Sequence, residues 1–187
     1  MKRRSFLASA AALMATGLKA APSTGMFVAL NNALIGNKVQ WPDSARLAAR
    51  VGFGGIDLNL NAARTEGLDG TRSLLEGLKL RTSFCGLPVN VTGTEEVYQR
   101  GMASLEETAK FVSGVGCGRM MMVLPAASDT PADELRSMLK ERLTAVVKVL
   151  AGANCRLGFE FLGPLMFRTR APHELLWKRN DAVAFAK

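Results

Sequence analysis

Leu157-Gly158-Phe159-Glu160-Phe161-Leu162-Gly163-Pro164 sets one carboxylate in the middle of an apolar run that otherwise reads as a buried strand. Ionised carboxylates are rarely left without a partner in apolar surroundings. Glu160 is therefore expected to meet a cation, a metal ion or an arginine, unless burial raises its pKa and keeps it neutral. From the octapeptide alone, capping of a neighbouring loop or pairing with a structural arginine explains the residue equally well.

Working back from that stretch, the same phrase recurs four times: a helix, a glycine stop, a short connector and an apolar strand. The stops are Val51-Gly52, Glu76-Gly77, Val115-Gly116 and Ala151-Gly152. Strands are expected to begin near residues 26, 55, 80, 119 and 157. Met26-Phe27-Val28-Ala29-Leu30, ending in Asn31-Asn32, reads as the first buried strand. Trp41-Pro42-Asp43-Ser44 opens a helix that runs to Val51, and Gly55 to Leu60 form the second strand. A loop is expected from there to about Gly70, then a short helix from Thr71 to Glu76. Leu80 to Cys85 is the third strand. A long amphipathic helix is expected from about Thr94 to Val115, with Val97, Met102, Leu105, Ala109 and Val112 on its apolar face. Arg119 to Pro125 is the fourth strand, and its three successive methionines read as core filler. Ser128-Asp129-Thr130-Pro131 then caps a helix through Leu150. Strands alternating with helices in this way mean βα units and a parallel sheet. Five such units admit either a doubly wound sheet or part of an eight-fold barrel. The lack of a Gly-x-Gly-x-x-Gly or phosphate-loop lysine after the first strand argues against a nucleotide-binding sheet.

At 187 residues the chain is of single-domain size, and 48% hydrophobic residues suffice for a sizeable core. The net charge of +8 points at first to nucleic acid, but Lys2, Arg3, Arg4 and Lys19 supply half of it from the N-terminal segment. The remainder is scattered, without a basic run or interleaved aromatics, so no nucleic-acid partner is expected. Residues 1–21 read as an export signal: Lys2-Arg3-Arg4, then Ser5-Phe6-Leu7 and a small apolar run from Ala8 to Leu18. Adjacent arginines before Ser-Phe-Leu resemble a twin-arginine signal, with cleavage near Ala20 or Ala21, placing the protein in the periplasm. An uncleaved signal would instead tether it to the cytoplasmic membrane. No other run is long enough for a membrane span. Residues 22–25 form a linker. Cys85, Cys117 and Cys155 show no zinc or redox spacing and read as buried free thiols, with a disulfide between two of them left open.

The first strand ending in Asn31-Asn32, the Gly52-Phe53-Gly54-Gly55-Ile56-Asp57-Leu58 junction and the Glu160-Phe161-Leu162-Gly163-Pro164 strand end together resemble the xylose isomerase-like barrels. That superfamily holds sugar and sugar-phosphate isomerases and epimerases, hydroxypyruvate isomerase, inosose-handling enzymes and the AP endonucleases of the endonuclease IV type. The resemblance covers residues 26–187. It implies an α/β fold, a (β/α)8 TIM barrel of which this stretch supplies the first five βα units. It implies an isomerase or epimerase using a divalent metal (Mn, Mg, Zn or Co), with a small sugar or polyol as partner. Glu160 is then the first metal ligand and one of the acid/base carboxylates that move a proton beside a carbonyl.

The Asp, His and Glu that complete the metal site in that family come from later strands, beyond Lys187. The one histidine, His173, is expected on the surface. One carboxylate alone would hold the ion weakly. Asp57 and Asn59, alternating on the second strand, and Asn31 and Asn32, at the mouth of the first, are candidates for binding substrate hydroxyls, with loop capping as the plainer role. Arg168 is a candidate for a substrate phosphate or carboxylate. Two other readings compete: a non-catalytic partial barrel, and an AP endonuclease, which export and the missing basic groove disfavour. Five open units would leave unpaired strand edges, so self-association is expected and activity of this stretch alone is not.

Overall fold

The apolar strands and glycine stops build a parallel sheet. The computed structural model describes residues 25–35 and 39–187. The export signal therefore lies outside the described residues. In chain order, β1 (Ala29–Leu30) leads through a 3-10 turn (Asn32–Ile35) to α1 (Trp41–Arg50) and β2 (Gly55–Leu58). Then come α2 (Leu60–Gly77), β3 (Arg81–Gly86), α3 (Glu95–Ala103), α4 (Leu105–Gly114) and β4 (Arg119–Val123). A two-residue β5 (Ala127–Ser128), α5 (Ala132–Gly152) and β6 (Arg156–Glu160) follow, then α6 (Leu165–Arg168), β7 (His173–Glu174) and α7 (Arg179–Phe185).

The main sheet has five strands in the order β1-β2-β3-β4-β6, every adjacent pair parallel. Each strand lies beside the next in sequence, with no reversal of order. A doubly wound sheet reverses at a switch point, whereas a barrel does not, so the order decides between the two architectures in favour of the barrel. Along β2, Ile56 and Leu58 are 0% and 4% exposed. They face the helices, and strand alternation turns Asp57 to the opposite, inner face. The helix-side core continues through Met120, Leu105, Val112, Leu139, Val146 and Leu150, all fully buried. Each large aliphatic side chain so buried contributes about 1.5–3 kcal/mol.

At the inner face, Gly55 is required by close approach: a Cβ there would lie 2.2 Å from the Phe27 ring and 2.5 Å from the Arg81 carbonyl oxygen. β2 and β3 also carry an irregularity between Ile56 and Leu58, which shifts the register so that Leu58 faces Cys85. It changes which β3 residues stand beside Asp57.

Four local expectations need correction. The stretch after Leu60 is helix, not loop: α2 consists of two helical segments that meet in a kink at Gly67, whose φ of 74° is non-helical. Thr71 bridges the kink by donating from its hydroxyl to the Ala63 carbonyl at 3.0 Å. The helix expected from Thr94 to Val115 is two helices, α3 and α4, meeting at Ser104, whose φ and ψ of −104° and 0° turn the axis. The helix expected behind the Ser128–Pro131 cap does begin there, at Ala132, but Ser128 does not cap it: Ala127 and Ser128 pair antiparallel with Glu174 and His173, and Pro131 stands at the N-cap without a side-chain bond. His173 lies in that ribbon, exposed as expected.

The fourth correction concerns burial. β6 alternates between exposed and half-buried residues, and Glu160 is exposed. The run is apolar on its helix side only, so the premise of a carboxylate sunk in a fully buried strand does not hold. Among the described residues no helix is long and apolar enough to cross a membrane.

Candidate functional site at the carboxyl ends of the strands

The sequence folds so that polar side chains follow the last apolar residue of β1, β2 and β6: Asn31, Asn59 and Glu160. Those ends form one mouth, where barrel sites lie. Asp57 is held most firmly. Its own carbonyl accepts the Trp41 indole N–H at 2.8 Å, tying α1 to β2. Its carboxylate accepts the Ser83 hydroxyl from β3 at 2.5 Å. Desolvation raises the Asp57 carboxyl above its ordinary 3.8, while the donating Ser83 hydroxyl and the Asn32 backbone N–H hold the rise back. The Asn32 side-chain oxygen beside this pair is buried and has no hydrogen-bond partner among the described residues. A buried acceptor left empty costs free energy, and a hydroxyl donor would satisfy it.

The other expected residues divide. Glu160 ends β6 opposite Val123 of β4, and its carbonyl accepts the Leu124 N–H at 2.7 Å. Its carboxylate makes no ion pair among the described residues, so the arginine partner anticipated for it is not found there. Asn31 caps the 3-10 turn, its side-chain oxygen accepting the Ala33 N–H at 2.9 Å. Asn59 lies past the end of β2 and caps α2 by accepting the Ala62 N–H at 3.1 Å. Arg168 pairs with Glu174 at 3.0 Å and stacks 3.7 Å over the Trp177 ring. These contacts give Asn31, Asn59 and Arg168 local structural roles. The structure thus brings Asp57 together with Ser83 and Asn32, and leaves Glu160 apart on the same rim. Ser83 escaped the sequence reading; a serine in the middle of the Leu80 to Cys85 strand, beside Thr82, was the available signal.

The metal implied by the resemblance can be tested against these positions. Among the described residues no three His, Cys, Asp or Glu side chains come together to hold an ion. Asp57 and Glu160 stand on strands three places apart, roughly 14 Å along the sheet at about 4.8 Å per strand. The described residues do not build a metal site, and Glu160 is alone in it.

The three cysteines are free and buried. Burial pushes the Cys85 thiol up to about 12 and raises Cys117 and Cys155 in the same direction. They are small core hydrophobes, and none of them pairs in a disulfide.

No family model matches the chain, and no curated protein does. Solved structures do match it. A xylose isomerase domain protein from Alicyclobacillus acidocaldarius superposes with a TM-score of 0.75 at 20% identity, covering 84% of this chain and 57% of that one. The fold is that of part of a TIM barrel. Two further solved structures show a likeness of the same kind. D-psicose 3-epimerase from Clostridium cellulolyticum H10 gives a TM-score of 0.69 at 12% identity, covering 86% and 59%. An AP endonuclease of family 2 from Brucella melitensis gives 0.66 at 15% identity, covering 86% and 64%. At these identities the likeness is one of fold. The chain spans less than two thirds of the length of each.

Proposed function

We propose that this chain forms the sugar-holding part of a xylose isomerase-like barrel that moves a proton beside the carbonyl of a small ketose or aldose. The observation that carries the reading is the half-buried Asp57–Ser83 pair at the strand ends, with the Asn32 backbone N–H against the Asp57 carboxyl. A sugar hydroxyl can donate to, or accept from, the Asp57 carboxyl according to its protonation. Epimerases among the solved structures of the same fold support the substrate class. Glu160 is the carboxylate we assign to proton transfer: exposed at the rim, it is free to take a proton from carbon and return it. No step is routed through a metal, because the described residues do not assemble one. Reading residues 1–21 as a twin-arginine signal, we place this chemistry in the periplasm.

The test is titration of the protein with ketohexoses by ligand-observed NMR, with isomer and epimer formation followed by chromatography, with and without Mn²⁺ or Mg²⁺. Saturable ketose binding is expected, weakened about tenfold or more in Asp57→Ala by loss of a charged hydrogen-bond partner. Turnover is expected to be absent, since Glu160 has no companion ligand within reach. Failure to bind any sugar, or binding indifferent to Asp57→Ala, would contradict the assignment. Turnover lost in Glu160→Gln would show that the described residues suffice for catalysis.

A further inference from the structure

At the opposite end of the sheet, where the strands begin, lies a cavity of about 720 Å³ that the sugar reading does not use. Four arginines line it: Arg72 from α2, and Arg81, Arg119 and Arg156. The last three occupy the first positions of β3, β4 and β6, three strands adjacent in the sheet. Arg119 and Arg156 are direct register partners. Like charges placed opposite one another on neighbouring strands are destabilising unless something compensates them.

The compensation is not found within the protein. Glu76 is the one carboxylate lining the cavity, and it lies 3.7 Å from Arg72, beyond hydrogen-bonding reach. Among the described residues Arg119 and Arg156 make no ion pair and donate no side-chain hydrogen bond. The carbonyls ending α2, α4 and α5 point to this end of the sheet, yet none accepts from these guanidinium groups. Arg81 is positioned by stacking 3.8 Å over the Phe27 ring and reaching the Gly25 carbonyl at 3.4 Å. Residues 1–24 and 36–38 contain no Asp or Glu, so they bring no carboxylate to the cluster.

We propose that this cavity is an anion site for a ligand carrying two or more linked phosphate groups. Guanidinium groups match phosphate oxygens in bidentate geometry. Strand spacing spreads the origins of Arg81, Arg119 and Arg156 over roughly 10 Å. That is wider than one tetrahedral anion can span, whereas a chain of linked phosphates reaches all three. The volume falls in the range of small-molecule sites. The site is separate from the sugar mouth, and its test does not depend on sugar binding.

The experiment is isothermal titration calorimetry of the protein with sodium tripolyphosphate at low ionic strength, with inorganic orthophosphate for comparison. Saturable one-site binding is expected, at least about tenfold tighter for tripolyphosphate than for orthophosphate. It should weaken about tenfold or more in Arg119→Met and in Arg156→Met, which keep the apolar stem and remove the charged donor. Glu76→Gln, on an exposed helix surface, should tighten binding severalfold by removing the sole opposing charge, and it reads the site even if an arginine variant fails to fold. Arg100→Ala, on the exposed face of α3, should change nothing. Absence of saturable binding, affinity that survives both arginine substitutions, or no tightening in Glu76→Gln would each overturn the proposal.

Discussion

A methyl group at position 55 has no room: it would press on the Phe27 ring and, 2.5 Å away, on the Arg81 carbonyl, which belongs to the neighbouring strand and cannot turn aside. Gly55→Ala is therefore expected to destabilise the fold by about 1–3 kcal/mol in urea unfolding, the range for overpacked sites. Two residues on, Asp57 makes a prediction of its own. Its carboxyl pKa is raised in the folded state, chiefly by desolvation. Its contribution to stability is thus fully present below the unfolded value and is lost as pH rises through the raised folded value. Asp57→Asn keeps an acceptor for Ser83 and does not ionise. The stability of the variant relative to the native protein should therefore grow as pH climbs from below 3.8 into that window, then level off; parallel pH profiles would refute the assignment. The buried cysteines, Cys85 raised to about 12, should not react with a thiol reagent at neutral pH until the protein unfolds. At this scale Asp57 was legible, because a lone acid between buried Ile56 and Leu58 must face the other way. Ser83 was not, since its pairing depends on the register shift between two strands. The capping roles of Asn31 and Asn59 were visible only as alternatives, because local side-chain bonding competes with substrate binding for the same groups.

Arg142 joins elements that are far apart in sequence. From α5 it donates to the Val91 and Gly93 carbonyls at 2.9 and 2.7 Å and to the Glu95 carboxylate at 2.8 Å, and it lies 4.7 Å over the Tyr98 ring. It is 8% exposed. The residue clamps the loop after β3 and the start of α3 onto α5. Arg142→Met should cost about 2–4 kcal/mol in urea unfolding by leaving two carbonyls unsatisfied. Arg142→Lys should recover only part, because an ammonium cannot reproduce the planar fork. A change within about 0.5 kcal/mol would show the clamp to be incidental. Sequence periodicity located most elements because their apolar faces are one-sided. It misplaced the start of α2 because Asn61, Arg64 and Thr65 look loop-like, while the helix there is fixed by the Asn59 cap and by the burial of Ala63. It also ran α3 and α4 together, since the break at Ser104 leaves the apolar spacing continuous. The β5–β7 ribbon was invisible, each strand being two residues long and paired across more than forty positions.

For the whole molecule, glycine stops before apolar strands were enough to foretell parallel βα units, but not whether they curl or wind doubly. That depends on strand order, which only tertiary packing decides. In the described residues β1 and β6 form the two edges of the sheet. Apolar side chains crowd near both, with Met26 at 84% and Val28 at 72% exposure beside β1, and Leu165 and Met166 at 62% and 63% beyond β6. Such edges favour pairing with other chains. The protein is expected to run above its monomer mass in size exclusion with light scattering, and Val28→Lys together with Leu165→Lys should move it toward the monomer; a native monomer would contradict this. The central claim is that parallel strands bring Asp57, Ser83, Asn32 and Glu160 to one mouth that holds a sugar. A crystal structure of the protein soaked with a ketohexose tests it most directly. The account predicts Val123 opposite Glu160 in a parallel pair, with a sugar hydroxyl in hydrogen-bonding reach of the Asp57 carboxyl. Antiparallel pairing of those strands, or sugar bound away from the strand ends, would contradict it.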